Sequence, residues 1–207
     1  MAQIDPAQSE QYGQRLVEAA PNSYQAHYWL AEKHERRGDF ARAAEEYRAA
    51  IERAPGAAGL NFGLGRVYLQ MANYQAATEA LERELAIHPF YGAAHLTLGS
   101  LYILQAQFQQ AVPCLEAAIR LNHKPAEAHL LRGRARAKLG DLEKAAADFE
   151  RAIELQPGLR GAHYELAMVY SRMGRKREAE ESLRTFRSLP DTGSGAAMTP
   201  ASRSVTP

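Results

Sequence analysis

Apolar residues recur three and four positions apart in short blocks, as at Leu64, Val67, Tyr68 and Met71, and a second block of the same kind follows after a brief interruption. This spacing lines apolar side chains along one stripe of a helix, and no stretch shows the strict alternation of a half-buried strand. The interruptions read GDF (38–40), ANY (72–74), AQF (106–108), GDL (140–142) and GRK (174–176). Gly38, Gly140 and Gly174 suit left-handed helix ends, while Asp39, Asn73 and Asp141 can cap the helices that follow. The pattern predicts helix–turn–helix pairs throughout.

The pairs repeat. The segments IERAP, LAIHP and IELQP end at Pro55, Pro89 and Pro157; the first two prolines are 34 residues apart and the third lies twice that distance further on. Rows of 34 residues then fall at 24–57, 58–91, 92–125, 126–159 and 160–193. The twentieth place holds Ala43, Ala77, Ala111, Ala145 and Ala179, and the eighth holds Ala31, Gly65, Gly99, Gly133 and Ala167. A small residue fixed in register marks a point where two helices approach too closely for a larger side chain.

A 34-residue helix–turn–helix row with these small places and a terminal proline resembles the tetratricopeptide repeat family, and the fourth row, AEAHLLRGRARAKLGDLEKAAADFERAIELQPGL, is similar to its consensus. The resemblance covers residues 24–193. It implies an all-α fold, a right-handed superhelical solenoid of antiparallel helix pairs, and a protein-binding rather than catalytic role. Some positions depart from the family pattern: Arg132 and Arg136 stand where large apolar residues are usual, Glu84 replaces a small residue in the twenty-seventh place, and Phe186 does so in the last row.

A solenoid needs polar ends, since each repeat buries its faces only on its neighbours. The twenty-first place runs Ala44, Thr78, Val112, Ala146 and then Glu180; the twenty-eighth runs Ile51, Leu85, Ile119, Ile153 and then Arg187. The expected division is therefore a leading half repeat or capping helix over 1–23, a five-repeat domain over 24–189 whose last row frays, and a disordered Ser/Thr/Gly/Pro tail over 190–207. The half repeat, with its helix start at Asp5-Pro6, fits either an N-terminal cap or the edge of a longer array.

Composition narrows function by exclusion. With 25 Lys plus Arg against 24 Asp plus Glu, the net charge is +1, which argues against a dedicated nucleic-acid binder. The single cysteine, Cys114, excludes an internal disulfide framework. No run is apolar enough for membrane insertion and the start of the chain has no signal-peptide character, so the expected location is cytoplasmic.

In the repeat family the fifth place of each row points into the concave surface. Here it reads Tyr28, Phe62, Leu96, Leu130 and Tyr164, with Leu69, Ile103 and Met168 one or two turns further along. Arg66, Arg134, Lys138 and Arg172 flank this line, and Glu32, Glu35 and Glu127 lie on its acidic side. The expectation is an apolar floor with a basic edge, forming a groove that binds a peptide or partner helix. Side chains of these types dominate the energy of protein interfaces.

Other chemistry is thinner. His27, His95, His129 and His163 share the fourth place, with Asn61 in the second row. They invite a metal- or haem-carrier reading, but equivalent side chains on successive helices stand about 10 Å apart and do not converge on one ion. Buried histidines at contacts within each repeat are the expected alternative, and no cofactor is called for. Gly63-Leu-Gly65 reads as helix packing, and there is no nucleophile–base constellation, so no enzyme is expected; the half repeat leaves room for a regulatory segment of a larger enzyme. The places of the Lys/Asn/Arg clamp that grips chaperone C-terminal carboxylates hold Tyr28, Glu32, Gly63, Ala93 and Thr97, which predicts that this is not a carboxylate-clamp protein.

Overall fold

The computed structural model describes residues 6–190. Eleven helices make up the described chain: α1 (Pro6–Ala19), α2 (Tyr24–Arg36), α3 (Phe40–Arg53), α4 (Leu60–Gln70), α5 (Tyr74–Ile87), α6 (Gly92–Leu104), α7 (Phe108–Arg120), α8 (Pro125–Leu139), α9 (Leu142–Leu155), α10 (Arg160–Arg172) and α11 (Lys176–Ser188). No strand occurs among the described residues, and no helix there is long and apolar enough to cross a membrane. The fold is all-α, built of the paired helices of a tetratricopeptide-like solenoid. The predicted disordered tail lies almost wholly outside the described residues. The chain divides into two compact units, 1–123 and 124–207.

The turns follow the interruptions in the sequence. Gly38, Gly140 and Gly174 have φ of 76°, 91° and 76°. In the same place of the second and third rows Ala72 and Ala106 adopt φ of 54° and 58°, so the turn is held even where the residue disfavours it. Asp39 caps α3 through the Arg42 amide at 3.4 Å, and Asn73 caps α5 through the Ala76 amide at 3.3 Å. Asp141 departs from expectation: it makes no cap bond to α9 and instead lies 4.0 Å from Lys144.

In the first unit, rows one to three are α2/α3, α4/α5 and α6/α7. Their small places are steric necessities. A Cβ on Gly65 would sit 2.9 Å from Leu81 Cγ, and one on Gly99 would sit 2.6 Å from Leu115 Cγ. The Tyr47 ring likewise lies on Gly63, leaving 2.4 Å for a Cβ. At α1 the sizes are exchanged: Gly13, one row before Tyr47, lies under Trp29, one row before Gly63, and a Cβ there would sit 1.9 Å from the indole. The exchange keeps the same close glycine–aromatic contact between α1 and α2 that Tyr47 and Gly63 make between α3 and α4. Lys33 fastens the contact, 2.7 Å from Glu10 and 4.5 Å above the Trp29 ring; its bond holds the Glu10 carboxyl below the usual range.

Glu84 explains its own oddity. The start of α4 has no side-chain cap, because its N-cap is Gly59 with φ of 86°. From α5, the fully buried Glu84 accepts from the Gly59 amide at 2.8 Å and the Phe62 amide at 3.1 Å. A carboxylate at a helix N-terminus satisfies orphan donors and complements the helix dipole, which offsets its burial.

In the second unit, α8/α9 and α10/α11 enclose a core that includes Phe149, Leu166, Val169 and Tyr170. Gly133 meets Phe149 as the other small places meet Leu81 and Leu115, leaving 2.6 Å for a Cβ. The two arginines that stand in apolar places, together with His129, close on Asp148, which is 3% exposed. Arg132 Nη2 lies 2.6 Å from Oδ1, Arg136 Nη1 2.8 Å from Oδ2, and His129 Nδ1 3.1 Å from Oδ1. One buried acid thus ties three positions of α8 to α9. In the last row Glu180 and Arg187 are exposed, unlike their counterparts Ala146 and Ile153.

Two stability predictions follow from these polar contacts. Glu84→Ala leaves two amides of α4 without their acceptor and should cost about 2–3 kcal/mol in urea unfolding followed by circular dichroism, with Glu84→Gln intermediate. Asp148→Ala removes the acceptor shared by Arg132, Arg136 and His129 and should cost about 3 kcal/mol or more, with Asp148→Asn less severe. An unchanged midpoint for either alanine variant would remove that contact from the account of the fold.

Candidate functional site

The first-helix face of the first unit carries most of the predicted anchors. Tyr28 is half-buried; its hydroxyl donates to Glu32 Oε1 at 2.8 Å, and its ring meets Tyr47 edge-on at 6.0 Å. Burial, and then the bond to Glu32, push the Tyr28 phenol up. Tyr47 donates to Glu35 Oε2 at 3.3 Å, and Arg66 forms an ion pair with the same carboxylate. Phe62 stacks on Tyr91 at 5.2 Å, with the Arg66 guanidinium 5.8 Å from its ring. Leu69 and Ile103 are half-buried, whereas Leu96 is 6% exposed and adds little surface.

On the second unit, Leu130 is buried in the same way, at 8% exposure. Tyr164 is 44% exposed and stacks on Phe186 at 5.4 Å, with Arg160 over the other ring at 4.1 Å. Phe186, a departure in the sequence, is therefore the partner of the most open aromatic anchor. Met168 is half-buried beside it in the chain.

The basic edge is largely committed within the protein. Arg66 pairs with Glu35, Arg134 donates to Glu165 Oε1 at 2.8 Å, and Arg172 donates to the Ala137 carbonyl at 2.9 Å. Lys138 is exposed and has no ion-pair partner among the described residues. Glu35 and Glu165, the acids opposite Arg66 and Arg134, each lie 31 residues away in the chain, and the pairings become visible only once successive rows are stacked.

The histidine register resolves into two kinds of hydrogen bond. His27 Nδ1 lies 2.6 Å from Glu46 Oε2, as His129 does from Asp148, while His95 and His163 donate through Nε2 to the carbonyls of Pro89 and Pro157 at 2.9 and 3.0 Å. Among the described residues no group of three His, Cys, Asp or Glu side chains is placed to hold a metal ion. Burial, and then Glu82, push the Cys114 thiol up to about 11, so at neutral pH it is a packed thiol rather than a thiolate.

Comparison with known proteins agrees with this geometry. Two tetratricopeptide repeat family models match, one over residues 1–58 and 96–159 and the other over 34–89 and 136–187. The curated proteins include no match. Among solved structures, the chain is similar to a MamA structure at 25% identity and a TM-score of 0.73, covering 76% of this chain and 92% of that one. It is also similar to YrrB, described as a TPR protein with an unusual peptide-binding site, at 25% identity and a TM-score of 0.75, covering 84% and 90%. MamA from Desulfovibrio magneticus RS-1 shares the fold at 21% identity and a TM-score of 0.76, covering 80% and 94%. Repeat period, helix pairing, small places in contact and family match converge, and the chain belongs to the tetratricopeptide repeat family.

Proposed function

We propose that this protein is a non-catalytic interaction scaffold that binds a peptide or partner helix on its first-helix faces. The observation that carries the reading is the exposed Tyr164 ring, held in place by Phe186, whose own ring Arg160 covers. A rigid aromatic with an open face offers large contact area at small entropic cost. Phe62, braced by Tyr91 and Arg66, gives the first unit a comparable element. The description of YrrB as peptide-binding supports the same class of ligand for this chain.

The charges favour selectivity over general attraction. Arg66 and Arg134 already have acidic partners, so an acidic ligand group must compete with Glu35 or Glu165; Lys138 is the cation most available to it. Glu32, hydrogen-bonded to Tyr28 in a clamp place, is poorly suited to a ligand carboxylate, which supports the reading that chaperone C-terminal tails are not the ligand. Nucleic acid is disfavoured on the same grounds of balanced charge.

Phe62→Ala and Tyr164→Ala should each weaken binding of a partner captured from the native host by about 1–2 kcal/mol, with the helical circular dichroism unchanged. Leu96→Ala is the contrasting variant: its side chain is buried, so it should act on stability first. Parent-like affinity in both aromatic variants would dispose of the proposal.

A further inference from the structure

The seam between successive second helices, floored by the first helix of the later row, is closed by the same two bonds at two places. Between rows two and three, Tyr102 donates to Glu82 at 2.7 Å and His95 donates to the Pro89 carbonyl at 2.9 Å. Between rows four and five, Tyr170 donates to Glu150 and His163 donates to the Pro157 carbonyl at 3.0 Å.

Between rows one and two both closures are missing. The histidine place holds Asn61, and the glutamate place holds Arg48 opposite Tyr68. The twenty-third place, which supplies Glu46 and Asp148 to histidines in rows one and four, holds Ala80. A cleft of about 540 Å³ results, with α3 and α5 as walls and α4 as floor. Asn61, Leu64 and Tyr68 form the floor, and Ile51, Ala80 and Ile87 line the sides. Asn61 is only 4% exposed, and its carboxamide makes no hydrogen bond to any described residue. Ile87 is 44% exposed at the mouth.

We propose that this cleft is a second binding site, separate from the first-helix faces, and that it takes an extended segment of a partner protein bearing one uncharged apolar side chain. A carboxamide presents one acceptor and a donor pair, matching the N–H and C=O of a single extended residue. The apolar side chain of that segment lies between Ile51 and Ile87. The rim selects against charge: α3 contributes Arg48 and Glu52, and α5 contributes Arg83 and Glu79, so the two signs balance. The volume falls within the roughly 300–1,000 Å³ of ligand sites.

The test is a titration of the full chain with short capped peptides of serine, glycine and alanine carrying one central residue, followed by NMR at the Asn61 carboxamide and the Ile51 and Ile87 methyl groups. Central leucine or phenylalanine should give saturable shifts at all three positions, and central aspartate or lysine should not. Asn61→His installs the residue found in the other rows and should weaken peptide binding on the order of tenfold; Ile87→Glu should do the same. Tyr164→Ala, which tests the first-helix face, should leave this titration unchanged, so the two readings fail separately. The proposal is overturned if no peptide gives saturable shifts, or if both cleft variants bind like the parent. It is equally overturned if the same signals move on raising the protein concentration alone, which would make a second copy the occupant.

Discussion

Everything in this protein depends on how closely paired helices approach one another. At Gly65, Gly99 and Gly133 a methyl group has no room, because Leu81, Leu115 and Phe149 already occupy the space. The alanines of the twentieth place are buried for the same reason. Close approach lets short helices of 11 to 15 residues, marginal by themselves in water, bury enough apolar surface to persist. It also fixes the rotation of each helix about its axis, and so decides which residues face a neighbour and which face a ligand.

That constraint accounts for the polar residues in otherwise small or apolar places. Once the helix rotation is set, the twenty-seventh place of row two and the twenty-third place of row four are interior, and Glu84 and Asp148 occupy them. Glu84 is tolerated there because it finds the amides of a helix start that has no cap of its own. Asp148 is tolerated because Arg132, Arg136 and His129 converge on it, and it in turn supplies an acceptor to those arginines in apolar places. Each departure from the repeat pattern is half of a pair whose other half lies on the adjoining helix.

The repeat period, the pairing of helices and the close contacts were legible in sequence, because they depend on residue size and spacing in one fixed register. Gly38, Gly140 and Gly174 turn as their chemistry dictates, yet Ala72 and Ala106 make the same turn, so the stacked helices impose what glycine merely permits. The first-helix face was legible only in part. Register located Tyr28, Phe62 and Tyr164, but could not show that Leu96 and Leu130 are buried or that Arg66 and Arg134 face acids a row away. Burial and pairing between rows are tertiary quantities, and a pattern within one row does not contain them.

The rows also serve as controls for one another. When four rows hold histidine in the fourth place and one holds asparagine, the backbone is shared and the difference in chemistry stands alone. The histidines reach a carboxylate or a proline carbonyl; the shorter Asn61 reaches neither. A globular core would repack around such a change. Here the neighbouring helices are held apart by contacts elsewhere, between rows through Tyr47 on Gly63 and within row two through Leu81 on Gly65, so a shorter side chain leaves space instead of drawing the walls together. Periodic packing therefore turns a small local substitution into a cavity with a polar floor, and a binding surface can arise in one row while the fold of the others stays as it was.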